Sequence, residues 1–175
     1  MRSLDILLAT SIALLGASSV VAQLPVPPMA SAPRQADAYL FHAGAGDIFE
    51  ITTSMMAQKK AKNAEVRAFA SMLIDHHTKL TNQALATAAS AGIAPPPPEL
   101  SLMQKQMIAQ LDASGPQFDR VFMQQQLEAH QQALALQTGY ASNGDVPALQ
   151  ANASAGLPVI RGHLGQIEQL IQQVR

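Results

Sequence analysis

The chain has 175 residues, 48% of them hydrophobic and 13% charged, which is enough to bury a core in a single domain. A formal net charge of -1 and a pI near 6.5 leave no electrostatic footprint for nucleic acid or for an anionic membrane surface. The absence of cysteine excludes disulfides, thiolate metal sites, cysteine nucleophiles and a lipid-anchored cysteine at a processing site.

The N-terminus reads as an export signal. Arg2 supplies the positive charge, Ile6 to Leu15 an apolar stretch, and Val20-Val21-Ala22 a small-residue cleavage site before Gln23. The apolar run is too short to span a bilayer comfortably. Residues 1–22 are therefore expected to be removed, leaving a mature periplasmic chain with no stable membrane span. Pro25-Val26-Pro27-Pro28 through Pro33 has no period, so residues 23–36 are expected to form a disordered Pro/Ala-rich spacer ahead of a helical domain over 37–175.

From Asp37 onward the hydrophobic period is helical. The first helix is expected from an Asp37 N-cap to about Lys60, with Phe41, Ala45, Ile48, Thr52, Met55 and Met56 on its stripe. Asn63 can cap a second helix that ends before Gly92. Pro95 to Pro98 then form a stiff connection that cannot be helix interior. A short helix over about Glu99 to Asp112 follows, with Leu100, Met103, Met107 and Leu111 on its stripe. A fourth helix is expected from about Pro116 to Tyr140, and a fifth from about Val146 to Gln173 with Pro158 bending or breaking it. The fold class is all-α: a four-helix bundle with one extra short helix in an elaborated crossover.

Three of the five histidines fall on apolar stripes. At about 100° per residue, Val66, Ala70, Leu73, Ile74, Thr81, Ala84 and Ala88 flank His77. Met123, Leu127, Ala133, Leu134 and Ala141 flank His130, while Val159, Ile160, Ile167, Leu170 and Val174 flank His163. Each histidine lies close to the midpoint of its helix. Nearly antiparallel helices share a midplane, so one central layer is expected to hold all three rings. Glu50, at the midpoint of the first helix, is the oxygen donor available to join them, although it lies opposite that helix's large-residue stripe. Its own face carries Ala43, Gly46, Thr53 and Ala57, small enough for close packing.

The runs Asp37-Ala38-Tyr39-Leu40 with Ala43 to Ile51, Phe69 to Lys79, and Leu157 to Leu164 resemble the bacterial domain-of-unknown-function family 4142. The resemblance covers roughly Gln35 to Ile171. It implies an exported, ferritin-like helical bundle with no established activity. Where the family pattern usually reads Asp-His-Thr, this chain has His76-His77-Thr78, so His76 replaces an expected acid.

Ferritin-like di-iron sites use Glu-x-x-His pairs, which place both ligands on one helix face. Asp75 and Glu128 each stand only two residues from a histidine, on the wrong face, so a di-iron oxidase site is not expected. Two readings stay open. In one, His77, His130 and His163, with Glu50, hold a transition-metal ion: Zn, Cu, Ni or Fe. In the other, the histidines form a hydrogen-bonded core layer, with Thr81 and Gln137 as nearby partners, in a non-catalytic envelope or stress-response module. The methionines are read as core filler rather than a thioether copper site. His42 is read as a surface or bundle-end residue. No nucleophile elbow, phosphate loop or Ser-His-Asp spacing is present, so an enzyme is the least favoured class. The sequence names no protein partner and leaves a homo-oligomer open.

Overall fold

The computed structural model describes residues 32–174, so the expected signal peptide and most of the expected spacer lie outside the described residues. Five α-helices follow: α1 (Ala36–Lys60), α2 (Ala64–Ser90), α3 (Leu102–Ala113), α4 (Phe118–Asn143) and α5 (Pro147–Gln173). A single 3-10 turn, Gly115–Gln117, leads into α4.

Local chemistry sets the helix ends. The N-cap of α1 is Gln35, without a side-chain cap, and Asp37 sits instead in the first turn, where its charge meets the positive end of the helix dipole. Asn63 caps α2 as expected, its side chain accepting from the amides of Glu65 and Val66. At the other end Gly92, at φ +72, lets Ile93 N–H reach the Ala88 carbonyl and Gly92 N–H reach that of Ala89. This Schellman closure returns Ile93 onto the apolar cluster that holds Ala88. Ser101 and Gln104 form a capping box at the start of α3. Of the bend or break expected at Pro158, the break does not occur, and α5 runs through it. Pro158 and Ser154 both lie on the exposed face, where water can take the carbonyl that the proline leaves without a donor. The last residues of the stretch expected to be a spacer are seated on α4: Arg34 Nε donates to the Asn143 carbonyl at 3.2 Å, and Ala32 packs against the cluster containing Tyr140.

The helices form a ferritin-like bundle. α1 pairs with α2 and α4 with α5, while α1 also packs on α4 and α2 on α5. Contacts between Tyr39 and Gln137 near opposite helix ends make α1 and α4 antiparallel. α2 and α4 consequently run in the same direction, and the chain must travel the length of the bundle between them. The polyproline segment and α3 make that crossover, with α3 packed along α1 and α4.

The buried face of α1 differs from the one expected. Tyr39, Leu40, Phe49, Glu50, Thr53 and Ala57 point inward, whereas Phe41, Ile48 and Met56 are half-buried and Met55 is 50% exposed. α1 is apolar nearly all round, so the positions of its largest residues do not mark its inner side. Thr53 and Ala57, small and fully buried on the side of Glu50, let neighbouring helices approach that face instead.

The core falls into two apolar clusters. One, at the α1–α2 turn end, contains Val66, Phe69, Leu73, Leu111, Phe122, Met123 and Ile167. The other contains Tyr39, Leu40, Leu136, Tyr140, Leu149 and Ala153. Between them, at mid-helix, lies a polar layer.

Candidate metal centre

The polar layer is built by one residue from each long helix: Glu50 from α1, His77 from α2, His130 from α4 and His163 from α5. Their exposures are 1%, 2%, 0% and 2%, so water reaches none of them freely. His77, His130 and His163 each offer a ring nitrogen, and these nitrogens lie within 4.8 Å of one another. Ring centroids are 5.4 Å apart for His77–His130 and for His77–His163, and 5.1 Å for His130–His163. The mid-helix alignment read from the sequence is thus the arrangement found.

Hydrogen bonds fix the ring orientations. His130 Nδ1 lies 2.9 Å from the Gln126 carbonyl oxygen, which can only accept, so Nδ1 carries the proton and Nε2 of the neutral ring is an acceptor. His163 Nδ1–H then donates to His130 Nε2 at 3.0 Å, and His76 Nδ1–H donates to His163 Nε2 at 2.8 Å. A chain of three rings therefore runs from half-buried His76 into the core. His77 is held separately, its Nδ1 2.8 Å from Asp47 Oδ1 and 3.0 Å from Glu50 Oε2. Its Nε2 has no hydrogen-bond partner. Glu50 Oε1 lies 3.1 Å from His130 Nδ1 but out of alignment, because that N–H is directed at Gln126.

Burial and charge act against each other here. Burial alone would lower the His77 pKa, but the Glu50 charge and the Asp47 hydrogen bond raise it to about 10. Burial would raise Glu50, yet His77 and His130 hold it at about 2. Asp47 is pushed up by burial against the pull of His77. His163 is held down at about 3 by burial and by the surrounding rings, and burial also lowers His130 despite Glu50. The resting layer is a cationic His77 clasped by carboxylates beside two neutral imidazoles.

Asp47 and His76 complete the layer, and the sequence reading assigned neither a contact. Asp47 precedes Glu50 by three residues, the spacing that places two side chains on one helix face, and that signal was available. His76 is one position round from the apolar stripe and reaches His163 only because α5 packs beside α2. Thr81 and Gln137 do not bond to histidine. Thr81 donates to Asp47, and Gln137 accepts from Tyr39 at 2.6 Å. Gln126 reaches the layer's edge, donating to Thr53 at 2.9 Å. His42 is exposed.

Fold and site together define a ferritin-like helical bundle with a buried imidazole–carboxylate layer across its middle. The chain belongs to the family described as domain of unknown function DUF4142, whose model matches residues 23–170. Among solved structures it is similar to CopM in the Cu(II)-bound form, at a TM-score of 0.68 and 17% identity over 81% of this chain and 98% of that one. It is also similar to CopM in the Cu(I)-bound form, at 0.66 and 19% over 79% and 96%. A DUF305 fragment from Deinococcus radiodurans matches at 0.69 and 17%, over 84% and 99%. These likenesses show the fold. No curated protein matches the sequence.

Proposed function

We propose that the protein binds a single transition-metal ion, Cu(II) in preference to Zn, Ni or Fe, through His77 Nε2, His130 Nε2 and His163 Nδ1. The observations that carry this reading are the convergence, within 4.8 Å, of a ring nitrogen from each of three buried histidines and a buried His77 Nε2 without a hydrogen-bond partner. Two ligand bonds end to end span about 4.1 Å, so the rings need move inward by less than an ångström. Imidazole donors without thiolate suit borderline divalent ions, among which Cu(II) binds most tightly. The similarity to copper-bound CopM supports the same choice.

Each chain group then has a role. Asp47 and Glu50 hold His77 by its Nδ1–H, and the Gln126 carbonyl holds His130, which directs both Nε2 lone pairs to the centre. Glu50, counted as a ligand from the sequence, faces the Nδ1 edges and serves in this proposal by orienting and neutralising. His163 frees its Nδ1 by taking its other neutral tautomer, with the proton on Nε2. His76 takes the matching tautomer by giving its Nδ1 proton to solvent and taking one at Nε2, so this pair releases no net proton. His77 gives up its Nε2 proton. Export remains part of the proposal, since the family match begins at residue 23, where cleavage of the signal peptide is expected.

A structural layer is the second reading, favoured by the hydrogen bonds linking His76, His163, His130 and Gln126. It leaves His77 Nε2 unexplained. Titration of chelator-stripped protein with Cu(II), followed by calorimetry, separates the two. The expected result is one ion per chain and a melting temperature that rises with free ion by mass action, both lost in His130→Ala. Equal binding by wild type and His130→Ala, or none by either, would refute the metal reading.

A further inference from the structure

A cavity of about 350 Å³ opens beside the polar layer. Its inner wall includes Glu50 and His77, and its outer rim includes the exposed residues His42, Glu99 and Ser101. Between the two lies Asp47, with 19% of its side chain exposed. Asp47, Glu50 and His77 line the cavity, while His130 and His163 do not. Six waters of about 30 Å³ each amount to roughly 180 Å³, so a hydrated ion fits. Asp47, Glu50 and His77 also form a second group whose donor atoms lie within 4.8 Å of one another. Glu50 is 1% exposed, and its Oε1 has no hydrogen-bond partner.

The helices keep this space open at a cost to themselves. Gly46 lines the cavity in mid-α1, and a Cβ there would meet nothing within 4 Å. Glycine in a helix interior is about 1 kcal/mol less favourable than alanine, so neither packing nor helix stability accounts for it. Gly156 on α5 lines the same space, where a Cβ would make only an ordinary contact with Leu80 at 3.7 Å.

We propose that this cavity is the loading chamber of the centre: a hydrated divalent transition-metal ion enters at the rim, is held first by Asp47 and Glu50, and passes from them to the rings. The inference rests on the metal reading and adds to it a route and a first binding position. Carboxylates replace part of the hydration shell before the imidazoles take the rest, so the ion is never bare in the core.

The test is the rate of loading. Cu(II) supplied as its glycine complex is mixed with chelator-stripped protein in a stopped-flow instrument, and release is followed into excess EDTA. Gly46→Leu fills the chamber and favours the helix, and Ala133→Leu fills it from α4. Both are expected to slow uptake and release together by about tenfold or more, with the dissociation constant within about twofold of wild type. Asp47→Asn is expected to slow uptake. Wild-type rates in both filled variants would overturn the chamber while leaving the centre intact. No copper bound at equilibrium by wild type would overturn the centre and the chamber together.

Discussion

Glu50→Gln tests the electrostatics of the buried layer most directly. The substitution keeps the side chain's shape, removes its charge and turns an amide toward the Nδ1 positions of His77 and His130, now at 3.0 and 3.1 Å from carboxylate oxygens. With His77 raised from 6.5 to about 10, its protonation is linked to folding by about 1.4 kcal/mol per pH unit between those values, or roughly 4 kcal/mol at pH 7. Asp47 stays in place and retains part of this, so a loss of about 3 kcal/mol is expected, within the range for breaking a buried pair. The sign with pH follows from the direction of each pKa. Because the folded value of His77 lies above the unfolded one, its contribution is full below about pH 6.5 and fades as pH rises through about 10. Glu50 and His163 are depressed, to about 2 and about 3, so their contributions are full above their unfolded values and fade on acidification. Wild-type stability with metal chelated should therefore peak near neutral pH, and the gap to Glu50→Gln should narrow between pH 7 and 9. Urea unfolding at several pH values measures both. A variant within about 0.5 kcal/mol of wild type at pH 7, or a gap that widens toward pH 9, would refute the reasoning.

Because His77 is protonated below about pH 10, each ion bound at pH 7 to 9 should release about one proton. Calorimetry in buffers of different ionisation enthalpy counts it, and a count of zero would contradict the cationic His77. At the far end of α2, Gly92→Ala forces a Cβ into φ +72 and should cost about 1 kcal/mol in urea unfolding, with copper affinity unchanged. A neutral outcome would mean that the Schellman closure contributes nothing.

Much of this arrangement was legible along the chain. The 3.6-residue period, the Asn63 cap, the stop at Gly92 and the polyproline break determined the number and type of the helices, because caps and breakers act through bonds within a few residues. A histidine at the centre of an apolar stripe must point inward for the same local reason, and His77, His130 and His163 do. Which side of α1 faced the core was not legible, since that helix is apolar around most of its circumference. Only the approach of α2 and α4 turned Glu50 inward and left Ile48 and Phe41 half-buried. The links of Asp47 to His77 and of His76 to His163 join residues 30 and 87 positions apart, and no periodicity encodes a partner on another helix. Sequence by itself determined which side chains each helix turns inward when its apolar face is distinct, through geometry internal to the helix. Tertiary structure alone decided which of them meet, because register between helices is set by side chains packing across the whole interface.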